Sequence, residues 1–284
     1  MARIVITSVF ALMVSASAWA GNWNNGSGGF QYENDFSRSI FHNGASINPT
    51  GKHPKAAKRQ DNKLVVTLEA GMLDSHSKKT GRFEIEKNGI SASLAVYQRY
   101  KVRSVNNQIN DRVLVSQIKQ YSKTGAGIPM AAVFLDRPPI CATYSQDQQY
   151  PLRDSYVDND ERNGITSKKW LWTEKMKGWF AHSWQSYKFY NRPWKTLADG
   201  GWHIVEMDAY PHKTEGYCII KIDGKIWMDV RNAPTKSFGS GDKMRGYAAR
   251  IGIYRDAVNF SHTVEFDDWT VVAYDPSNGL HIEK

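Results

Sequence analysis

The sequence predicts an all-β protein, a single-domain two-sheet sandwich or jelly roll. Apolar and polar residues alternate with a period of two in many short runs, which is typical of strands with one buried face. Residues that favour turns separate these runs, and helical periodicity is almost absent. Short strands at regular spacing are characteristic of sandwiches and jelly rolls.

Ten segments carry the strand pattern, in order along the chain: 63–69, 81–87, 92–103, 111–119, 130–136, 202–209, 216–222, 225–230, 248–254 and 263–274. Asp223-Gly224 joins the seventh and eighth segments and has the composition of a two-residue hairpin turn. Asn88-Gly89 follows the second segment and has the same chemistry, so we expect a turn there too.

The first twenty residues have the features of a secretory signal peptide. An apolar run from Ile4 to Val14 is followed by small residues that end at Ala20. The run is too short to span a bilayer, and no later segment approaches the ~20 apolar residues that a membrane helix needs. We therefore expect a secreted or periplasmic protein without a membrane anchor, cleaved near Ala20, with a flexible stretch at residues 21–29.

Residues 30–284 contain no linker rich in Pro, Gly and Ser, which favours one domain. The segment at about 141–200 differs from the rest because it shows little alternation and contains five tryptophans, one of them Trp172. We expect a long aromatic excursion that packs on the sandwich and lines a binding cleft. The only cysteines, Cys141 and Cys218, are disulfide candidates, and two separate buried thiols are the alternative.

The net charge of +9 favours an acidic partner. The sequence contains no run of Lys and Arg residues and no recognisable nucleic-acid-binding module, so nucleic acid is not the expected partner. Ten Trp and fourteen Tyr residues offer rings for stacking on sugars, which favours an acidic polysaccharide. No His, Cys or Asp pattern indicates zinc or an EF-hand, so we expect no cofactor and leave open a structural Ca²⁺. We expect a monomer.

Four strands place polar residues of an unusual kind on one face. We expect them to line a concave sheet that binds an anion. The alternative is an ordinary solvated outer face of the sandwich with no binding role. The residues are Arg82, Glu84 and Glu86 on the second segment, Tyr97, Arg99, Lys101 and Arg103 on the third, Gln117, Lys119 and Tyr121 on the fourth, and Arg250, Gly252 and Tyr254 on the ninth.

The chain resembles jelly-roll polysaccharide lyases with a concanavalin A-like fold. The resemblance rests on RFE at 82–84, QIK at 117–119, GGWHIVEMDAY through GYCIIKIDGKI at 200–226, and RIGIY at 250–254. These segments are similar in order and rough spacing to the R-x-E, Q-x-H, W-H and Y-x-K-x-G-x-Y strands of the heparin lyase I and glucuronan lyase families, with alginate lyases more distant. Lys119 stands where those families have His, and Ala248 stands where they have Tyr.

The resemblance implies β-elimination on a uronate polysaccharide such as glucuronan, alginate or a heparin-like chain. That reaction requires neutralisation of the uronate carboxylate, a base for the C5 proton and an acid for the leaving oxygen. Arg82, Gln117 and Arg250 suit the first task. Tyr254 and Lys119 are the candidates for proton transfer, with Tyr247 and Tyr121 in reserve for the acid, and Gly252 would leave room for the sugar.

Further contacts to the polymer are expected from Arg99, Lys101, Tyr121, Glu84 and Trp172. Each role has a structural alternative: Arg82 could pair with Glu84 or Glu86, Tyr254 could hydrogen-bond across the sheet, and Lys119 could bind the acidic chain without reacting. The main rival function is a non-catalytic, lectin-like protein for acidic glycans on the same fold. The glycosidase pattern E-x-D-x-x-E and the serine hydrolase pattern G-x-S-x-G are absent.

Overall fold

A computed structural model describes residues 29–41, 44–47, 53–73, 80–106, 112–122, 127–136, 139–141, 156–157, 170–171, 187–189, 197–233, 235–236 and 244–283. The predicted signal peptide, nearly all of the stretch at 21–29 and most of the excursion at 141–200 lie outside the described residues. Trp172 also lies outside the described residues. Within the described part, no helix is long and apolar enough to cross a membrane.

The described residues form β-strands joined by turns, with three short 3₁₀ turns at Pro54–Ala56, Pro276–Asn278 and His281–Glu283. The strands are β1 (Phe30–Asn34), β2 (Ser46–Ile47), β3 (Ala57–Gln60), β4 (Lys63–Leu68), β5 (Thr80–Ile90), β6 (Ala95–Ser104), β7 (Val113–Ser122), β8 (Gly127–Phe134), β9 (Ile140–Cys141), β10 (Tyr156–Val157), β11 (Trp170–Leu171), β12 (Tyr187–Phe189), β13 (His203–Tyr210), β14 (Gly216–Ile222), β15 (Lys225–Ala233), β16 (Met244–Asp256) and β17 (His262–Tyr274).

Two antiparallel sheets make up the sandwich. The larger runs β12-β15-β14-β13-β6-β17-β4-β3, and β1 pairs with the second half of β17. The smaller runs β2-β5-β16-β7-β8-β9, and β10 and β11 form a separate pair. Inward side chains of both sheets share one core, in which Tyr100, Phe266, Phe83 and Ile251 are all buried. This architecture confirms the predicted all-β sandwich of the jelly-roll type.

All ten predicted strand segments are strands, and β14 has the predicted bounds. The hairpin at Asp223-Gly224 is confirmed, with φ of 50° and 72° as a tight turn of this kind requires. The expected turn at Asn88-Gly89 is wrong, because both residues lie inside β5. Gly89 has a φ of 80° at a register shift between β5 and β16, so the chain forms a bulge there and continues.

Cys141 and Cys218 are bonded, which resolves the alternative that the sequence left open. Cys141 lies on β9 at the edge of the smaller sheet, and Cys218 lies on β14 in the larger one. Their Cα atoms are 5.9 Å apart. The bond therefore crosses the core and ties the two sheets together.

Candidate functional site

Three neighbouring strands in the middle of the smaller sheet bring polar side chains from distant parts of the sequence together. Across the β5–β16 ladder, Arg82 is paired with Tyr254, Glu84 with Gly252, and Glu86 with Arg250. On the other side of β16, Gln117 of β7 is paired with Arg250. We call the outward side chains of this region the charged face: Arg82, Glu84, Glu86, Gln117, Lys119, Tyr121, Arg250 and Tyr254.

Glu84 lies at the centre of the charged face and is fully buried. The amide of Gln117 donates a hydrogen bond of 2.5 Å to one carboxylate oxygen, and Arg250 donates one of 3.3 Å to the other. Arg82 Nε is 3.7 Å from that second oxygen, so the predicted alternative pairing of Arg82 with Glu84 does occur. Burial alone would raise the pKa of Glu84, but the charges of Arg250, Arg82 and Lys119 outweigh it and lower the pKa.

Arg250 is also buried and pairs with two carboxylates. Its guanidinium lies 2.6 Å from Glu86 as well as 3.3 Å from Glu84, and it donates a hydrogen bond to the hydroxyl of Tyr121. Burial would lower the pKa of Arg250, but Glu86, Tyr121 and Glu84 together raise it. The side chains of Gln117 and Arg250 therefore bind the two glutamates and form a buried layer beneath the accessible groups.

Lys119 is partly exposed at one end of the charged face, and its Nζ lies 6.0 Å from the ring centroid of Tyr121. Burial, followed by the positive charges of Arg250 and Arg82, lowers the pKa of Lys119 to about 7. Glu84 and Glu86 oppose this shift without cancelling it. A large part of the Lys119 population is therefore a neutral amine near pH 7, which is the protonation state that a base requires.

Tyr254 is partly exposed at the other end of the charged face. Its ring lies under two guanidinium groups, with the carbon of Arg82 at 3.9 Å from the centroid and that of Arg112 at 4.6 Å. Its ring packs on a small apolar cluster that includes Leu114 and Phe134. Among the described residues, the Tyr254 hydroxyl has no hydrogen-bond partner.

Sequence reasoning missed Arg112. Counting in twos back from Gln117 places residue 112 among inward positions. A register shift between Leu114 and Ser116 in the β7–β8 ladder marks a bulge that reverses the alternation, and Leu114 faces outward beside Tyr254. The signal that could have found it is the apolar triplet Val113 to Val115, which a simple alternation does not explain.

Gly252 has a role in the packing of the backbone. A Cβ atom there would lie 2.2 Å from the carbonyl oxygen of Phe83, and the φ of 144° is rare for other residues. Glycine is required because β16 approaches the backbone of β5 closely.

The structure places three predicted site residues elsewhere. Tyr247 is wholly buried in the core, where its hydroxyl donates a hydrogen bond to the carbonyl of Ala92, because it shares the inward face of β16 with Ala249 and Ile251. Arg99 and Lys101 lie on β6, which belongs to the larger sheet, so they face away from the site on the opposite side of the sandwich. The expectation that Tyr97 and Arg103 line the same anion-binding face is wrong for the same reason. No group of three or more His, Cys, Asp or Glu residues in the described part of the chain could hold a metal ion.

No family model and no curated protein sequence matches the chain. Solved structures do match. Alginate lyase A1-II′, a member of polysaccharide lyase family 7, has a TM-score of 0.50 and 10% identity, over 78% of this chain and 84% of its own. Alginate lyase Aly36B has a TM-score of 0.46 at 10% identity, over 86% and 96%.

An endo-1,3-beta-glucanase from Streptomyces sioyaensis has a TM-score of 0.46 at 10% identity, over 88% of this chain and 98% of its own. At such low identity, the likeness to the family 7 lyase shows the jelly-roll fold and nothing finer. The chemistry of this chain must therefore be argued from its own charged face.

Proposed function

We propose that this protein is a polysaccharide lyase that cleaves a uronate-containing acidic polysaccharide by β-elimination. One observation carries the proposal: a partly exposed lysine with a pKa of about 7 lies on the same sheet face as two arginines and a tyrosine. Alginate is the first substrate to test because the solved structures with this fold include alginate lyases. Glucuronan and heparin-like chains are the other candidates.

Arg82 is the group that neutralises the uronate carboxylate in this proposal. Its side chain is 12% exposed, whereas that of Arg250 is 3% exposed and already pairs with Glu84 and Glu86. A planar guanidinium matches a carboxylate. Neutralising the negative charge of that carboxylate makes the neighbouring C5 proton more acidic. Gln117 and Arg250 then act as positioning residues that hold Glu84, and the charge of Arg250 helps to keep the pKa of Lys119 low.

Lys119 is the base that removes the C5 proton, and Tyr254 is the acid that protonates the leaving O4. Arg82 is close enough to Lys119 to lower its pKa, and its guanidinium lies against the Tyr254 ring. A uronate held by Arg82 would therefore lie beside Tyr254. The proposal requires the Lys119 side chain to extend along the face toward Arg82, because C5 and O4 belong to neighbouring atoms of one sugar. Tyr121 suits the acid role less well because its hydroxyl already accepts a hydrogen bond from Arg250 and lies 3.5 Å from Glu86.

We further propose that the protein acts outside the cytoplasm as a monomer, after cleavage near Ala20. The bonded cysteines support this compartment, since disulfides persist in oxidising surroundings. The main alternative function is lectin-like binding of acidic glycans without cleavage. Ala248, in the position of a tyrosine in the lyase families that the sequence resembles, favours this alternative.

The test is the ultraviolet absorbance of the unsaturated uronate product, measured with purified mature protein on alginate, glucuronan, heparin, hyaluronan and pectate. A rise on at least one polymer, abolished in Lys119→Arg, supports the proposal because arginine keeps a long basic side chain but stays protonated and cannot act as the base. A flat trace on every polymer, together with retention on one of them when it is immobilised, would support the lectin-like alternative instead.

A further inference from the structure

Arg112 lies outside every motif that the sequence analysis identified, yet it completes the environment of Tyr254. It directly precedes β7, and its guanidinium carbon is 4.6 Å from the Tyr254 ring centroid. Its side chain is 23% exposed, and its Nη2 donates a hydrogen bond of 2.7 Å to Asp256, which is itself 42% exposed. Its Nε is buried without a hydrogen-bond partner among the described residues.

These contacts leave donor capacity on Arg112. A guanidinium carries five N–H donors, and in the described part of the chain Asp256 is its one hydrogen-bond partner. An exposed ion pair of this kind is weak, so an incoming carboxylate can compete with Asp256. The buried Arg250 differs, because its guanidinium is held by two buried carboxylates.

We propose that Arg112 binds the carboxylate of a second uronate, adjacent to the one that Arg82 holds. Both guanidinium groups lie against the same Tyr254 ring, so neighbouring residues of one polymer chain can reach them together. The apolar cluster of Leu114, Ala132, Phe134 and Ile140 lies beside the ring and fixes the position of Tyr254. This inference rests on the proposed function for the role of Arg82.

Two adjacent carboxylate sites select a substrate class. Alginate and glucuronan carry a carboxylate on every residue, whereas hyaluronan alternates a uronate with an uncharged amino sugar. Arg112 therefore favours polymers of consecutive uronates over alternating ones. An alternating chain can satisfy either Arg82 or Arg112 with a uronate, but it cannot satisfy both from adjacent residues.

The test compares Arg112→Gln with Arg103→Gln, a matched control on the opposite face of the sandwich. Arg103 is also ion-paired, at 2.6 Å to Glu265, and its guanidinium also lies against an aromatic ring, that of Trp202 at 4.9 Å. We expect Arg112→Gln to raise KM for a polyuronate about tenfold with little change in kcat, as loss of one charged hydrogen bond predicts. Arg103→Gln should leave both parameters unchanged.

A purely structural role for Arg112 would give a different result. If Arg112 only positions Tyr254, Arg112→Gln lowers kcat and leaves KM unchanged, which would overturn the inference. Asp256→Asn adds a second test, because it removes the carboxylate that competes for Arg112 and should lower KM. An unchanged or raised KM would contradict competition between Asp256 and the polymer. Equal loss of activity on polyuronate and on an alternating polymer in Arg112→Gln would also contradict the proposed preference.

Failure of the lyase proposal can be told apart from failure of this inference. Affinity electrophoresis through gels that contain alginate measures binding without any cleavage. If no polymer is cut but alginate slows Arg112→Gln less than it slows Arg103→Gln, the carboxylate site is supported and the lyase chemistry is contradicted. If both variants bind like the unaltered protein, the site at Arg112 is excluded.

Discussion

The two outer faces of the sandwich carry the same kinds of residues and differ in what surrounds them. On the charged face, burial and neighbouring arginines lower the pKa of Lys119 to about 7. On the opposite face, a hydrogen bond and ion pair with Asp268, at 2.6 Å, raise the pKa of Lys101. One lysine can therefore lose its proton near neutrality and the other cannot. Burial among like charges confers this reactivity, and the basic side chain alone does not.

The largest expected difference between the two faces is in turnover when a lysine is removed. Lys119→Ala should lower kcat about a hundredfold to ten-thousandfold, which is the range for loss of a general base. Lys101→Ala should leave kcat unchanged because its charge is paired far from the site. Initial rates from product absorbance measure both. An active Lys119→Ala enzyme would remove this residue from the mechanism.

Removal of a hydroxyl should give the next largest difference. Tyr254→Phe should lower kcat about a hundredfold or more, since the leaving oxygen loses its proton donor. The fold and the retention on immobilised polymer should be preserved. Tyr97→Phe is the control on the other face, where that hydroxyl donates a hydrogen bond to Glu206. If Tyr121→Phe proved inactive while Tyr254→Phe stayed active, Tyr121 and not Tyr254 would be the acid that protonates the leaving oxygen.

The two faces should also differ in stability when a carboxylate is removed. Glu84→Gln leaves Arg250 and Arg82 with less compensation in a buried site and should lower the free energy of unfolding by about 3 kcal/mol or more. Glu265→Gln breaks the more exposed pair with Arg103 and should cost about 1 kcal/mol or less. Urea denaturation curves give both values. Equal losses would mean that the two networks are energetically alike.

The smallest effect is a shift in the pH profile. Because the base form of Lys119 is the neutral amine, kcat/KM should fall as the pH drops below about 7. Arg82→Gln removes a cation that lowers this pKa, so the acid limb should move to higher pH, apart from any loss of rate. Arg99→Gln on the opposite face should leave the limb in place. If the acid limb of the kcat/KM profile stays at the same pH in Arg82→Gln, Lys119 is not the group whose titration sets that limb.

Much of the fold follows from local pattern, and particular residues show where this ends. Alternation identified β14 to the residue, and the turn chemistry of Asp223-Gly224 identified the hairpin after it. The same alternation assigned Arg99 and Lys101 to the site because a period of two does not say which sheet a strand joins. Two other errors have different causes. Alternation itself places Tyr247 in the core with Ala249 and Ile251, whereas a bulge in β7 brings Arg112 to the outer face.

The sequence by itself determined the ten longest strands, the all-β class and the residue types of the charged face. These features can be predicted because side chains alternate between the two faces of a strand, and this alternation does not depend on residues distant in sequence. Only the tertiary structure decided that β5, β16 and β7 lie side by side, that Glu84 is buried between cations, and that Lys119 has a lowered pKa. Those properties depend on burial and on charges from other strands, Arg250 among them at more than a hundred residues away in sequence, which local pattern does not encode.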